Sequence, residues 1–181
     1  MRLVWIGLAL VLLSLPATAE IEKNALVCKS SICFYWWPKL PEPKGWHQDR
    51  DVSYRMNANV LVPDGSTFAN AKTVIYAEAI YKPREPTVTS VEVLIANDKE
   101  QFLQHRPGIL ISESGRLNTG DGQLLRSFTF FPGKQGDWEK VSYGEEGDFY
   151  LIFTVSSRTE QAYRQDEPVY GKLVAGYKVK P

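Results

Sequence analysis

The chain has 181 residues, of which 44% are hydrophobic and 23% charged, and its 21 basic side chains balance its 21 acidic ones. A chain with zero formal net charge does not attract a phosphate backbone by bulk charge, so the composition argues against nucleic acid as a partner. The 12% aromatic content suits a β-rich core. Apart from an N-terminal segment, which is described next, the chain has the length of one domain.

Residues 1–19 have the pattern of a secretory signal peptide. A short positive start precedes an apolar run at residues 3–15, and an A-x-A motif ends at Ala19. The run is too short, and wrongly flanked, for a membrane-spanning helix. We therefore expect cleavage after Ala19, export to the periplasm or beyond, and one domain over residues 20–181 with no transmembrane segment.

Cys28 and Cys33 are the only cysteines. An even cysteine count in an exported chain predicts a disulfide, and their spacing requires a turn between them. Closing so small a loop stabilises the fold by about 2 kcal/mol in the chain-entropy model. A reactive dithiol or a metal-binding pair is the alternative, but the chain has neither a C-x-x-C motif nor a second ligand pair.

The N-terminal half of the domain is predicted to consist mainly of strands. Period-two alternation is clear at residues 73–81, and turn chemistry is clear at Pro63-Asp64-Gly65. Three prolines make residues 38–45 an extended loop. The predicted strands cover residues 32–37, 46–51, 53–62 and 73–81.

In the C-terminal half, two helices are predicted around four strands. A capping box at residues 89–92 opens a helix that ends near His105, and a second box at residues 157–160 opens another. Pro168 is expected to kink the last helix, which then continues over residues 169–177. The predicted strands cover residues 109–116, 124–131, 138–143 and 149–156.

The strand at residues 149–156 carries apolar side chains on both faces, which predicts a central strand covered on two sides. The order of elements predicts an α+β fold, an antiparallel β-sheet of about six to seven strands covered by helices.

Three local features resemble the fold shared by the PsbP family of photosystem II extrinsic proteins, the bacterial DcrB-like lipoproteins and a nuclear-import factor that binds the GTPase Ran. They are Gly45-Trp46 leading to the turn at residues 62–65, the capped helix after residues 73–81, and the closing pair of a strand at residues 149–156 and a helix at residues 169–177. The resemblance implies a PsbP-like α/β/α sandwich and an accessory or adaptor role. None of these features is a catalytic motif, so no functional residue is carried over.

Signals for catalysis, metals or cofactors are weak. His47 and His105 are the only histidines, and neither has the spacing of a zinc site. His47 with Asp49 or Asp51 offers a hypothetical acid–base pair, which would still need a nucleophile. The loop at residues 118–122 lacks the order of an EF-hand and is predicted to be a hairpin turn. We predict no catalytic residue, metal site or cofactor.

A dense aromatic run is the most unusual feature, and two interpretations stay open. On the surface it would form a binding site for protein or carbohydrate, since Tyr and Trp are favoured at binding hot spots. In the core it would fill the first strands, which is the more frequent fate of large aromatics. The candidate binding residues are Tyr35, Trp36, Trp37, Trp46 and His47.

We therefore expect a non-catalytic exported accessory or binding protein with another envelope protein as its partner. One alternative is a hydrolase using His47 with an acidic neighbour. The other is an inhibitor or immunity-like protein with one tight protein partner. The oligomeric state and the identity of the partner have no signal in the sequence.

Overall fold

The computed structural model describes residues 21–133 and 136–178, so the predicted signal peptide lies outside the described residues. The described residues contain nine strands and three α-helices. The strands form a seven-stranded sheet and a separate two-stranded hairpin. The predicted α+β class is confirmed. The strands are β1 (Ile21–Val27), β2 (Ile32–Pro38), β3 (Trp46–Gln48), β4 (Ala58–Pro63), β5 (Thr73–Tyr81), β6 (Leu110–Asn118), β7 (Leu124–Phe131), β8 (Trp138–Glu146) and β9 (Phe149–Ser157). The helices are α1 (Arg50–Met56), α2 (Val91–His105) and α3 (Glu160–Gly176).

The large sheet has the order β3-β4-β5-β9-β8-β7-β6, and every neighbouring pair is antiparallel. β9 is therefore the central strand, as its two apolar faces predict. Its alternation sends Phe153 to one face of the sheet and Ile152 to the other, and both side chains are buried.

Helices cover both faces of the sheet. Helix α3 packs on the face that carries Leu151, Phe153 and Val155 of β9, through Tyr170 and Leu173. On the opposite face, α2 covers the β7–β8–β9 half, whereas α1 covers β4. Among the described residues, no helix is both long and apolar enough to span a membrane.

The hairpin β1–β2 is a separate antiparallel ribbon whose base packs beside the large sheet. Cys28 and Cys33 are joined in a disulfide across its turn, with their Cα atoms 5.8 Å apart. The base is fixed to β4, since Asn59 donates from Nδ2 to the Pro38 carbonyl at 3.1 Å. Strand β1 was not predicted, because apolar and polar residues do not alternate along its sequence.

The prediction of two long strands over residues 46–62 is wrong in its middle. Strand β3 ends at Gln48, and helix α1 occupies the centre of that range. Asp49 caps this helix by accepting from the Val52 amide at 3.2 Å. Asn57 ends it in the left-handed conformation, which asparagine tolerates better than most residues.

Helices α2 and α3 both begin later than the predicted capping boxes, which start at residues 89 and 157. The N-caps are Ser90 and Thr159, whereas Ser157 still belongs to β9 and its hydroxyl bonds the Thr73 hydroxyl across the strand pair at 2.9 Å. Helix α3 also runs as one helix through Pro168. The buried side chains on either side of that proline hold the helix together although one backbone hydrogen bond is lost there.

Candidate functional site

A groove of about 500 Å³ runs beneath hairpin β1–β2. One wall is the hairpin, and the other is the end of β5 with the start of β9. Its volume is in the range of ligand and peptide pockets, and apolar and aromatic side chains line most of it. The lining residues are Lys23, Asn24, Ala25, Phe34, Tyr35, Trp36, Tyr81, Asp148 and Phe149.

Strand alternation decides which hairpin residues face the groove. In the observed register Lys23 lies opposite Trp36, and Ala25 lies opposite Phe34, so these four side chains share one face. The same face continues to Val27 opposite Ile32 beside the turn. We call Ala25, Val27, Ile32 and Phe34 the tip face.

The tip face is unusually exposed for its composition. Val27 is 92% exposed, Ile32 61% and Phe34 56%. Single exposed apolar residues are normal, but a contiguous set on one face of a ribbon is typical of interaction surfaces.

The inner part of the same face is anchored by aromatic packing. The Trp36 ring meets Tyr81 and Phe149 edge-on, with ring centroids 5.8 and 6.1 Å away. Such edge-to-face pairs contribute about 1 kcal/mol each beyond the buried area. The groove therefore has a rigid aromatic floor.

The opposite face of the hairpin is tied to α1. Tyr54 packs edge-on between Tyr35 and Trp37, at centroid distances of 5.1 and 5.4 Å. Trp37 is fully buried, and its indole donates to Glu22 Oε2 at 3.1 Å. The base of the hairpin is thus packed against the sheet on one face and against α1 on the other. The tip face is covered by neither of these elements.

Two cations border the groove. Lys23 Nζ lies 5.9 Å from the Phe149 ring centroid, and the Arg84 guanidinium lies 4.5 Å from that of Trp36. Within the described residues neither forms an ion pair. Asp148 is the single acidic residue that lines the groove.

The five predicted binding residues do not lie together. Tyr35 and Trp36 line the groove, whereas Trp37 and Trp46 are buried in the fold. His47 lies on β3, and its Nδ1 is 3.3 Å from Asp64 Oδ1 at an exposed position. Alternation therefore places Trp36 on the groove side and Trp37 in the core, while Tyr35 shares the face of Trp37 and still borders the groove.

The predicted histidine–aspartate pair does not involve either expected partner. Asp49 is occupied by the amides of Val52 and Phe68, each at 3.2 Å, so its carboxylate serves the backbone. No hydroxyl or thiol in the described part of the chain is hydrogen-bonded to His47. The geometry gives no support for a nucleophile activated by this histidine.

A second unusual region, the acidic cluster, lies between the sheet and α2 and consists of Glu78, Asp98 and Glu139. Burial, together with the charge of Asp98, raises the pKa of Glu78 to about 7. Burial also raises the pKa of Asp98, whose carboxylate accepts a hydrogen bond from the Tyr143 hydroxyl. Burial raises the pKa of Tyr76, and the charges of Glu139, Glu78 and Asp98 add to that rise.

Glu139 is the most enclosed of these carboxylates. Its Oε1 accepts from Arg106 at 3.2 Å and from the Ser156 hydroxyl at 2.9 Å, whereas Oε2 has no hydrogen-bond partner within the described residues. Burial raises its pKa, and Arg106 opposes that rise. Among residues 21–133 and 136–178, no three His, Cys, Asp or Glu side chains converge as metal ligands would.

Sequence reasoning missed the groove residues outside the aromatic run. Lys23 belongs to no motif, and Tyr81 and Phe149, which line the groove with it, come from distant segments, as does Arg84 at its border. The available signal was period-two alternation, which places the odd positions of β1 and the even positions of β2, including Phe34 and Trp36, on one face once β1 is recognised.

Comparison with models of known protein families and with curated proteins finds no match. Among solved structures, the chain is similar to PA94 of Pseudomonas aeruginosa, a protein of unknown function described as a candidate regulator. That likeness has a TM-score of 0.51 at 12% identity and covers 88% of this chain and 98% of the other. At this identity it shows a common fold and nothing about function.

Proposed function

We propose that this protein is a non-catalytic exported accessory protein that binds another envelope protein through the groove and the tip face. The observation that carries the proposal is the exposed apolar tip face beside an aromatic groove. Side chains such as Val27 and Phe34 contribute little to folding where they lie, because they are largely in water. A contiguous apolar surface of this kind gains free energy when a partner covers it.

Export is supported by two features. The Cys28–Cys33 disulfide suits an oxidising compartment, and such bonds are rare in the cytosol. The pattern of residues 1–19 is that of a cleaved signal peptide. We place the protein in the periplasm, where the resemblance to PsbP and DcrB-like proteins also implies an accessory role.

The absence of an assembled catalytic site among the described residues favours binding over hydrolysis. His47 has an exposed carboxylate neighbour, Asp64, but no hydroxyl or thiol bonded to it. A tight inhibitor would use the same surface as an accessory protein and would differ from it in affinity. The surface itself is therefore the object to test.

The test is site-specific photo-crosslinking in intact cells that produce the full chain. A photoreactive side chain at position 34 is expected to give one discrete protein adduct in the envelope fraction. The matched control is position 110, because Leu110 is 67% exposed on edge strand β6, away from the hairpin. The adduct at position 34 should be absent at position 110.

Affinity then separates a specific surface from a merely sticky one. With the identified partner purified, Phe34→Ser should weaken binding by about tenfold or more, since loss of a buried aromatic anchor at an interface costs about 1–2 kcal/mol or more. Leu110→Ser should leave it unchanged. Equal adducts at both positions, or binding that is insensitive to Phe34→Ser, would contradict the proposed function.

A further inference from the structure

The outer edge of β1 carries a feature beyond the groove itself, namely unpaired backbone groups. On the far side of the hairpin, the Trp36 amide donates to Asn57 Oδ1 at 3.1 Å, and the Pro38 carbonyl accepts from Asn59 Nδ2 at 3.1 Å. Both groups therefore point away from β1. In an antiparallel ribbon this makes Lys23 and Trp36 a non-hydrogen-bonded pair.

The hydrogen bond at the turn leads independently to the same assignment of hydrogen-bonded and non-hydrogen-bonded pairs. The Cys28 amide donates to the Ser31 carbonyl at 2.8 Å, so these two residues close the ribbon as a hydrogen-bonded pair. Pairs alternate along an antiparallel ribbon, so Val27, Ala25 and Lys23 all direct their backbone N–H and C=O groups outward. In the described part of the chain, β1 has no neighbour on that side.

This open edge and the groove belong to one surface. The residues whose backbone points outward are also the β1 residues whose side chains lie on the groove side of the ribbon. A strand added to this edge would place a side chain opposite Ala25, where the small methyl group leaves room beside Phe34. Its next side chain on that face would lie opposite Lys23, above Phe149.

The positive charge of the groove specifies which side chain of the added strand should lie opposite Lys23. Lys23 and Arg84 border this part of the groove without a carboxylate partner among the described residues. An acidic side chain opposite Lys23 would form a cross-strand ion pair. Apolar side chains opposite Ala25 and Val27 would cover the tip face.

We propose that the edge of β1 binds an extended segment of a partner protein as an additional antiparallel strand. The segment reads apolar-x-apolar-x-acid from its N-terminus, facing Val27, Ala25 and Lys23 in turn. Backbone hydrogen bonds supply affinity, and the groove and Lys23 supply specificity. This inference rests on the proposed function, because it specifies what the same surface binds.

A second copy of this chain fits the edge less well. Pairing β1 with its own copy would place Ile21, Lys23, Ala25 and Val27 of both copies on the groove side of the ribbon. That set contains no acid, so a second copy would leave both lysines without a counter-charge. A partner segment with an acidic residue supplies the counter-charge that a second copy lacks.

The test uses the full chain and a synthetic peptide of about seven residues, a usual strand length. The peptide is blocked at both ends and labelled with a fluorophore, and it has the order Thr-Val-Thr-Leu-Thr-Glu-Thr. A second peptide carries Lys in place of Glu. Binding is measured by fluorescence anisotropy, and self-association of the protein by sedimentation.

Two protein variants separate backbone pairing from side-chain contact. Ala25→Pro removes the outward N–H without removing a bond to β2, as proline can do on an edge strand. It should weaken peptide binding by about tenfold, whereas Ala25→Ser keeps both the N–H and a small side chain and should change it by no more than about twofold. Unfolding curves of both variants confirm that the hairpin persists.

Charge exchange tests the role of Lys23. Lys23→Glu should weaken binding of the Glu peptide by about tenfold, and it should bind the Lys peptide more tightly than the wild type does. A merely structural role of Lys23 would not produce that exchange of preference.

Four results would overturn the inference. These are no peptide binding up to about 1 mM, equal binding by Ala25→Pro and Ala25→Ser, no exchange of charge preference, or a dimer that Ala25→Pro disrupts. If the cross-linked partner loses affinity for Phe34→Ser but not for Ala25→Pro or Lys23→Glu, the edge inference fails and the proposed function stands. If Phe34→Ser has no effect on the partner, the proposed function itself fails.

Discussion

The tip face of the hairpin and the acidic cluster beneath α2 depart from ordinary burial in opposite directions. At the tip, Val27 and Phe34 are apolar and largely exposed. In the cluster, Glu139 is a carboxylate that is only 3% exposed, and Glu78 is half-buried with a raised pKa. Exposed apolar groups can be changed with little effect on folding, whereas enclosed carboxylates oppose folding unless they are protonated or paired.

The difference teaches which region to associate with binding. A surface that stabilises the fold little, yet has a defined shape, is a candidate for contact with another molecule. In the acidic cluster, Glu139 is already bonded to Arg106 and Ser156, and Asp98 to Tyr143, so these two carboxylates face the interior of the fold. The cluster is expected to set the pH dependence of stability.

The largest expected effect is a loss of stability at the base of the hairpin that is absent at its tip. Trp37→Ala should lower the free energy of unfolding by about 4 kcal/mol, because it empties a fully buried site and leaves Glu22 without its indole donor. Urea denaturation measures the change. Phe34→Ser is the control and should stay within about 0.5 kcal/mol of wild type. Equal losses would mean that tip and base fold as one core.

The second effect concerns the acidic cluster. The pKa of Glu78 is raised from 4.5 to about 7, so the folded state holds its proton over a range in which the unfolded state has released it. Stability that is present below pH 4.5 is therefore lost as pH rises to about 7, by about 3 kcal/mol in total. Denaturation of wild type and Glu78→Gln across this range measures the loss.

Glu78→Gln should match wild type near pH 4.5 and become the more stable protein above pH 7. Glu85→Gln is the matched control, because Glu85 is exposed and should leave the pH dependence unchanged. A wild-type stability that rises with pH across this window would contradict the assignment of Glu78 as a proton-retaining group.

The smallest effect sharpens the comparison within the hairpin. Replacing both cysteines, Cys28→Ser with Cys33→Ser, should lower the free energy of unfolding by about 2 kcal/mol, because the closed loop is short. Partner affinity should fall with it as the tip loses its fixed shape. Ser30→Ala keeps the disulfide and serves as control. An unchanged affinity in the double variant would show that the disulfide does not organise the tip face.

Prediction from sequence succeeded where local pattern and burial agree. The central position of β9 followed from apolar residues on both its faces, and α2 followed from its helical spacing and its stop at Pro107 and Gly108. It failed at α1, where Val52 and Tyr54 fit a strand as well as a helix. There the caps Asp49 and Asn57 were the only local signal for a helix.

The caps of the longer helices show a related limit. Several hydroxyl residues precede α2 and α3, and a sequence pattern alone does not select among them. Ser157 is retained in β9 by its bond to Thr73, a strand residue far away in the chain, so the cap falls on Thr159. The choice is made by strand pairing.

The sequence by itself determined the α+β class, the central strand, the disulfide pairing of Cys28 with Cys33 and the concentration of aromatics near the N-terminus. These follow from alternation, composition and chain-local turns. Only the tertiary structure decided that Trp36 lines a groove while Trp37 is buried, because that division depends on Tyr81, Phe149 and Tyr54. Local pattern fixes which side chains share a face, and long-range packing fixes what that face meets.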